Sequence, residues 1–163
     1  MAGIKTRLLF CRKYRHMKKI FLLCFALCTV LSSTINAQPH FNHLTVYVVD
    51  LQKSATFYRD VMQLQEIPEP FHDSRHVWFK MGEHNQLHVV SGAKSTVPHD
   101  INIHMAFTVS SVEEFSKHLD EKNVKYGNWA QSSKNPEVRP DGIHQIYFQD
   151  PDGYWIEVND DKF

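Results

Sequence analysis

Two stretches of the chain share one pattern of alternating apolar and polar residues, 61 residues apart. The first is HLTVYVVDL, which begins at His43, and the second is HMAFTVSSV, which begins at His104. Apolar side chains at every second position predict half-buried β-strands. Residues suited to cap a helix follow each strand, Asp50 in the first copy and Ser110 or Ser111 in the second. Each stretch therefore predicts a strand followed by a helix, and the chain contains an internal repeat.

The two histidines that open these strands share a face of the predicted sheet. Because successive side chains of a strand point to opposite faces, the apolar residues of each copy lie together against the following helix. His43 and His104 then point to the opposite surface. One histidine on such a surface is ordinary, but two at equivalent repeat positions favour a functional site. The apolar faces consist of Leu44, Val46 and Val48 in the first copy and Met105, Phe107 and Val109 in the second.

The rest of the chain predicts an α+β fold of two modules, about residues 40–95 and 100–160, with mixed sheets. Each module is expected to contain a strand, a helix and two or three further strands. Pro68 and Pro70 should break the chain after the first helix, and residues 131–141 are polar and predict a loop. The further strands are predicted at 76–80, 86–91, 124–129, 143–149 and 154–159.

The N-terminal segment 1–37 is typical of a secretory signal peptide. Lys18 and Lys19 precede the apolar run 20–31, and Ala37 provides a small residue for cleavage. Met17 is the expected start of translation, with residues 1–16 upstream of it. The apolar run is short for a membrane span, although an uncleaved membrane anchor is the alternative. We therefore expect a periplasmic or secreted protein whose single domain is 38–163.

Removing this segment changes the charge and the cysteine count. Residues 1–37 hold seven of the 18 Lys and Arg residues and none of the 18 Asp and Glu residues, so the mature chain has a formal charge of −7. All three cysteines lie in the removed part. The mature protein therefore has no disulfide, no thiolate nucleophile and no cysteine ligand for zinc. Without a basic stripe, nucleic acid is not an expected partner.

Three segments together resemble the vicinal oxygen chelate superfamily, which includes glyoxalases, bleomycin-resistance proteins, fosfomycin-resistance proteins and extradiol dioxygenases. They are HLTVYVVDLQKSATFYRDVMQLQ at 43–65, HMAFTVSSVEEF at 104–115 and IYFQDPDGYWIEV at 146–158. The resemblance implies two tandem βαβββ modules that form a curved mixed sheet around a metal cleft. It also implies one divalent metal ion (Fe, Zn, Ni, Co or Mn), a small-molecule substrate and a homodimer.

The resemblance assigns His43, His104 and Glu157 as ligands of that metal. Two imidazoles and one carboxylate leave positions open for a substrate, as a catalytic site needs. Glu157 alternates with apolar neighbours, so it is expected on the cleft side of the last strand. His88 occupies the corresponding place in the first module, where glyoxalase I has a glutamate. It is a candidate metal ligand, a candidate catalytic base or a structural histidine, and the sequence leaves these three open.

Among the activities of this superfamily, a metal-dependent lyase or isomerase acting on a small oxygenated substrate is the first hypothesis. The metal would polarise vicinal oxygens while a base moves a proton. Glyoxalase I itself is disfavoured, because Tyr47 stands where that enzyme has a glutathione-binding arginine, and His88 replaces a glutamate. Export also separates the protein from cytosolic glutathione.

Two alternatives belong to other functional classes. An Fe(II) extradiol-type dioxygenase is suggested by the ending from Tyr147 to Glu157, in which Tyr147 would be a catalytic residue that contacts substrate. His144 is not spaced from Tyr147 as the dioxygenase signature requires. A metal-free binder similar to bleomycin-resistance proteins is the non-enzymatic alternative, and the presence of His43, His104 and Glu157 argues against it.

Overall fold

The computed structural model describes residues 38–162, so the predicted signal peptide lies outside the described residues. Within that range, no helix is long and apolar enough to cross a membrane. The elements in chain order are β1 (His43–Val48), α1 (Leu51–Asp60), β2 (Glu66–Ile67), β3 (His76–Met81), β4 (Asn85–Ser91), β5 (His104–Thr108), α2 (Val112–Glu121), β6 (Tyr126–Gly127), β7 (Glu137–Val138), β8 (His144–Gln149) and β9 (Trp155–Asn159). This mixed α+β architecture confirms the predicted fold class.

Each half of the chain forms its own mixed sheet. The first has the strand order β1-β4-β3-β2, and the second has β5-β9-β8-β6, with β7 added beside β8. The first and last long strands of each half run parallel, and the remaining long pairs are antiparallel. As a result β1 and β5, the two strands that begin with histidine, hold equivalent outer positions in their sheets.

In the first part of each module, the elements of the two copies begin at the same sequence spacing. The starts of β1 and β5, and those of α1 and α2, are each 61 residues apart. The capping positions keep the same spacing: the Asp50 carboxylate accepts from the Lys53 backbone N–H at 3.1 Å, and Ser111 Oγ accepts from the Glu114 N–H at 3.1 Å. These side chains satisfy backbone donors that a helix start leaves free, which explains why both helices begin where they do.

The core lies on the helix-facing sides of the two sheets. Val46 and Val48 of β1 are 1% and 0% exposed, whereas His43 on the opposite face is exposed. The predicted alternation is therefore confirmed. Phe57 of α1 contacts Phe148 of β8, with ring centroids 6.3 Å apart. One apolar cluster thus contains residues of both halves, and the opposite faces of the sheets are left for the polar residues.

A buried polar turn joins the second half to the first. In the segment 150–153, Gly153 has φ +92 and its N–H donates to the Asp150 carbonyl, closing a turn that favours glycine. Asp152 accepts from the Val49 N–H at 2.7 Å and from the Ser54 hydroxyl at 2.6 Å. Asp150 accepts from the Tyr58 hydroxyl at 2.7 Å. The three bonds from Val49, Ser54 and Tyr58 cross between the halves, so the turn fixes their packing.

Two short strands differ from the sequence prediction. Strand β2 lies in a segment where only a chain break was expected, and β7 lies in the predicted loop 131–141. Each has two residues, which is too short to show any periodicity. They form because an edge of β3 or β8 is available to accept a neighbour.

Candidate metal centre

The C-terminal half of the candidate site is built around Glu157 on β9. Its Oε2 lies 3.1 Å from His104 Nε2 and accepts a hydrogen bond from the Tyr147 hydroxyl at 2.6 Å. Its Oε1 accepts from the Asn159 side-chain amide at 2.7 Å. Glu157 is 6% exposed, and a buried carboxylate needs such partners. Both carboxylate oxygens are therefore held in fixed directions.

His104 is oriented by a second hydrogen bond at the opposite edge of its ring. Its Nδ1 lies 2.7 Å from the Ile101 carbonyl oxygen, to which it donates. This bond directs Nε2 toward Glu157. A histidine that ligates a metal commonly donates its other ring nitrogen to a carbonyl or carboxylate in this way.

Tyr147, a sequence-predicted catalytic residue, contacts Glu157 directly. Burial raises the pKa of the Tyr147 hydroxyl well above its usual value, and the Glu157 carboxylate raises it further. The hydroxyl therefore stays protonated and donates to Glu157 over the whole physiological range. Trp129 packs edge-on against the Tyr147 ring, with centroids 5.7 Å apart.

The N-terminal half of the site is a stack of three aromatic rings. The His88 ring on β4 lies against Trp78 with centroids 3.9 Å apart and planes inclined by 1°, and against His43 with centroids 4.2 Å apart and planes inclined by 12°. His88 Nε2 lies 2.9 Å from Gln86 Oε1, to which it donates. His43 Nδ1 is similarly 2.7 Å from the Asn42 side-chain oxygen.

The environment of His88 keeps its imidazole neutral. Burial lowers the pKa of His88, and the neighbouring His43 and His76 lower it further because each disfavours a second positive charge. A neutral imidazole is the form that binds a metal or accepts a proton. The structure therefore leaves both predicted chemical roles of His88 open.

Strand register shows that the two halves are equivalent around the site. In the first sheet His43 pairs with Gln86, two residues before His88; in the second, His104 pairs with Trp155, two residues before Glu157. His88 thus occupies the backbone position of Glu157, as the repeat predicted. The equivalence continues into the next strand of each sheet, where Trp78 of β3 is opposite His88 and Tyr147 of β8 is opposite Glu157.

The four predicted ligands do not meet within one chain. His43 lies with His88, and His104 lies with Glu157, but residues 38–162 contain no group of three or more His, Asp, Glu or Cys side chains arranged to hold a metal. The complete ligand set thus remains a prediction.

Asn159 and Trp78 are among the residues of the site that were not identified from the sequence. Asn159 follows Glu157 by two positions and so shares its face of β9, a signal that the sequence carried. Trp78 occurs in a strand with a typical core composition, where an aromatic residue gives no sign of a functional role. Its position opposite His88 emerges only from the register.

Residues 40–158 match the family model for the Glyoxalase/Bleomycin resistance protein/Dioxygenase superfamily. The chain belongs to this superfamily. The match spans both modules and all the predicted site residues, so the resemblance on which the ligand assignment rests is confirmed at the level of the family.

Individual members of the superfamily resemble the chain across most of its length. A curated relative, the metallothiol transferase FosB of Staphylococcus saprophyticus, is 29% identical over 124 residues, which are 72% of this chain and 74% of that protein. The fosfomycin resistance protein FosX of Listeria monocytogenes has a similar structure, with a TM-score of 0.61, 22% identity, and coverage of 77% of this chain and 96% of that one. A glyoxalase/dioxygenase from Nostoc punctiforme gives a TM-score of 0.63 at 20% identity, with coverage of 79% and 95%.

Proposed function

We propose that this protein is a metal-dependent enzyme of the glyoxalase type, which acts as a lyase or isomerase on a small oxygenated substrate. One divalent ion would be held by His43, His104 and Glu157, with His88 as a further ligand or as the base. The observation that carries the proposal is the pairing of His104 Nε2 with Glu157 Oε2, each oriented by a separate hydrogen bond.

The residues of the C-terminal half fit a metal ion. Zinc lies about 2.0–2.2 Å from its nitrogen and oxygen ligands, so two donors on one ion are roughly 3.0–3.5 Å apart. His104 Nε2 and Glu157 Oε2 are 3.1 Å apart, within this range. The donor set of imidazoles and one carboxylate suits Zn, Ni, Co, Mn or Fe.

The chemistry of the proposed enzyme divides between the ion and the chain. A bound divalent ion would polarise an oxygen of the substrate and stabilise negative charge that develops there. Tyr147 and Asn159 hold the Glu157 carboxylate in place. If His88 is free of the ion, its neutral imidazole accepts the proton next to the polarised oxygen.

We further propose that a second copy of the chain completes the site. Over the described residues, β1 pairs with β4 alone and β5 pairs with β9 alone, so the other edges of both strands can accept a neighbour. These are the strands that begin with His43 and His104. A homodimer that joins β1 of one copy to β5 of the other would unite His43 and His88 with His104 and Glu157, forming two equivalent sites.

Mixing two inactive variants tests both proposals. His43→Ala damages the N-terminal half of the site and Glu157→Ala damages the C-terminal half, so neither variant alone should bind metal with wild-type affinity. In a mixed dimer one site combines both damaged halves, and the other combines both intact halves. We expect metal analysis of the mixture, after exchange of subunits, to recover one tight site per mixed dimer.

Three results would contradict these proposals in different ways. Wild-type protein that binds none of Fe, Zn, Ni, Co or Mn would reject the metalloenzyme and favour the metal-free binder. Tight binding by a wild-type monomer in light scattering would reject the shared site. Failure of the two variants to complement, although each dimerises, would show that a site does not combine halves from two copies.

Thiol transfer is a second candidate reaction, favoured by the relative named as a metallothiol transferase. Residues 38–163 contain no cysteine, so in the proposed exported form the thiol would be a co-substrate. Incubating the metal-loaded protein with fosfomycin, with and without a small thiol, separates the two reactions. Loss of fosfomycin that requires the thiol and yields a mass adduct supports transfer, whereas loss without thiol supports addition of water or isomerisation.

We also propose export, with cleavage after Ala37. The support is the order of basic, apolar and small residues along 18–37. Mass spectrometry of the protein from its native host should show a chain that begins at Gln38. A full-length chain retained in the cytoplasm would reject this proposal.

A further inference from the structure

Both faces of the His88 ring are covered by other aromatic rings. Trp78 stacks on one face at 3.9 Å and His43 stacks on the other at 4.2 Å, both nearly parallel to it. The backbones of β3 and β4 hold Trp78 and His88 directly opposite one another. Since a cross-strand pair of this kind restricts both side chains, the plane of the His88 ring is fixed.

The edge of the same ring is fixed by Gln86. Its side-chain oxygen accepts the hydrogen bond from His88 Nε2 at 2.9 Å. A neutral imidazole carries one proton, so a proton on Nε2 leaves Nδ1 as the nitrogen with an available lone pair. The stack sets the plane of the ring, and Gln86 sets which nitrogen is offered.

The second half of the chain holds its equivalent residue from the same backbone position. Tyr147 occupies in β8 the place that Trp78 occupies in β3, and its hydroxyl holds Glu157. The two interactions differ in kind: Tyr147 donates a hydrogen bond to the Glu157 carboxylate, whereas Trp78 stacks on the face of the His88 ring. In both halves, the residue directly across the ladder orients the side chain that faces the site.

We propose that Trp78 is a positioning residue: it fixes the plane of the His88 ring and so keeps Nε2 against Gln86, which selects the tautomer offered at the metal centre. The proposal rests on the proposed function, since it assigns Trp78 a role at that site. Under this proposal Trp78 is the counterpart of Tyr147 in the first module, and it acts through the face of its indole ring.

The indole N–H of Trp78 separates this role from ordinary hydrogen bonding. Trp78 Nε1 is buried and has no hydrogen-bond partner among the described residues. Replacing the indole with a phenyl ring therefore breaks no hydrogen bond seen in this chain, and removal of an unsatisfied buried donor is neutral or stabilising. Trp78→Phe keeps an aromatic face against His88, whereas Trp78→Leu keeps apolar bulk without that face.

Two measurements on these variants test the proposal. In metal-free protein, long-range nitrogen–proton NMR of the imidazoles reports which nitrogen of His88 carries the proton. We expect one tautomer, protonated at Nε2, in wild type and Trp78→Phe, and a mixture in Trp78→Leu. If His88 is a ligand, Trp78→Leu should also bind Zn or Ni about tenfold more weakly, as other changes behind a metal ligand do. Trp78→Phe should retain wild-type affinity.

Phe71→Ala is the matched control. Phe71 is 58% exposed and its ring packs edge-on against Trp78 at 6.0 Å, so its removal alters the same cluster without uncovering His88. We expect it to leave both the tautomer and the metal affinity unchanged. Circular dichroism and thermal melting establish that all three variants are folded.

The outcomes distinguish this inference from the proposed function. If Trp78→Leu is folded and keeps a single His88 tautomer and wild-type affinity, Trp78 has no positioning role. If Trp78→Phe behaves as Trp78→Leu does, an aromatic face at this position does not hold His88 and the ring-face role is rejected. If wild type binds no metal but Trp78→Leu still scrambles the tautomer, the metalloenzyme proposal fails while the effect of Trp78 on His88 stands.

Discussion

The two halves of this protein share a backbone plan but hold their site residues by different interactions. Strands β1 and β5 present a histidine at the same register, and the residue two positions along the neighbouring strand is His88 in one half and Glu157 in the other. The carboxylate is fixed by hydrogen bonds from Tyr147 and Asn159. The imidazole is fixed by stacking between Trp78 and His43.

This difference shows which properties a duplicated module keeps and which it can change. The register decides where a side chain stands, since it follows from backbone pairing that both copies share. The residue across the ladder must then suit the chemistry of the side chain that it holds. A carboxylate is held through donors to its two oxygens, whereas an imidazole also has ring faces on which an aromatic neighbour can stack. The following predictions test how far the two halves are interchangeable.

Removal of the carboxylate should have the largest effect. Glu157→Ala deletes the only anionic group in the predicted ligand set and leaves the donors on Tyr147 and Asn159 without their acceptor. Metal affinity should fall about a hundredfold or more, beyond the roughly 10–100-fold cost of losing a supporting residue. Titration with Zn or Ni, read by calorimetry, measures this. A loss smaller than that of His88→Ala would contradict the ranking of the halves.

His88→Ala should have the next largest effect and decides the role of this histidine. If His88 is a ligand, as its equivalence to Glu157 favours, affinity should fall about tenfold or more. Unchanged affinity with lost turnover of an identified substrate would instead indicate the base. If neither quantity changes, His88 is structural and three ligands form the site.

Loss of the Tyr147 hydroxyl should have a smaller effect on metal affinity. Tyr147→Phe removes the donor to Glu157 Oε2 and should weaken metal binding by up to about tenfold, because the carboxylate gains freedom to turn. Tyr126→Phe is the matched control, since the Tyr126 hydroxyl donates to Asp120, outside the site. Equal effects of the two changes would show that Tyr147 contributes to folding and not to the site.

The smallest expected effect is a pH dependence of stability that comes from Asp150 in the buried turn 150–153. Burial raises the pKa of Asp150, and the nearby Asp152 carboxylate raises it further, despite opposing hydrogen bonds from Tyr58 and the backbone. The Asp150 carboxyl therefore holds its proton more tightly in the folded state than in the unfolded state, where the pKa of an aspartate is about 3.9. The free energy of unfolding of wild type should fall as pH rises from that value through the folded pKa.

Asp150→Asn removes this titration. Urea unfolding of both proteins across the acidic range should show wild type losing stability relative to the variant as pH rises, with a constant difference above the folded pKa. A difference that grows in favour of wild type over the same range would reverse the sign and reject this account of Asp150.

The sequence predicted the parts of the fold that carry periodicity. Alternation located β1 and β5 and the face of each histidine, and the repeat placed His88 at the position of Glu157. The two-residue strands β2 and β7 were missed because they depend on a neighbouring strand edge and carry no pattern of their own. Trp78 was missed because its role depends on cross-strand register, which the sequence of one strand does not contain.

The separation of the two half-sites within a chain was also beyond the sequence. Whether two equivalent modules pack with their helices together or with their edges together depends on contacts between distant residues. Here the Phe57–Phe148 contact and the turn at Asp152 favour the helix sides. The metal cleft that the family resemblance implies therefore becomes a proposal about two chains.

The buried turn at 150–153 has a consequence for how the chain folds. If the chain were cut within residues 92–103, the first fragment would keep the Val49 N–H and the hydroxyls of Ser54 and Tyr58 without their acceptors, and the second would expose two carboxylates built to be covered. Neither fragment should be stable alone, although the two together should reassemble. We therefore expect the two modules, although they are repeats in sequence, to unfold as one cooperative unit with a single transition.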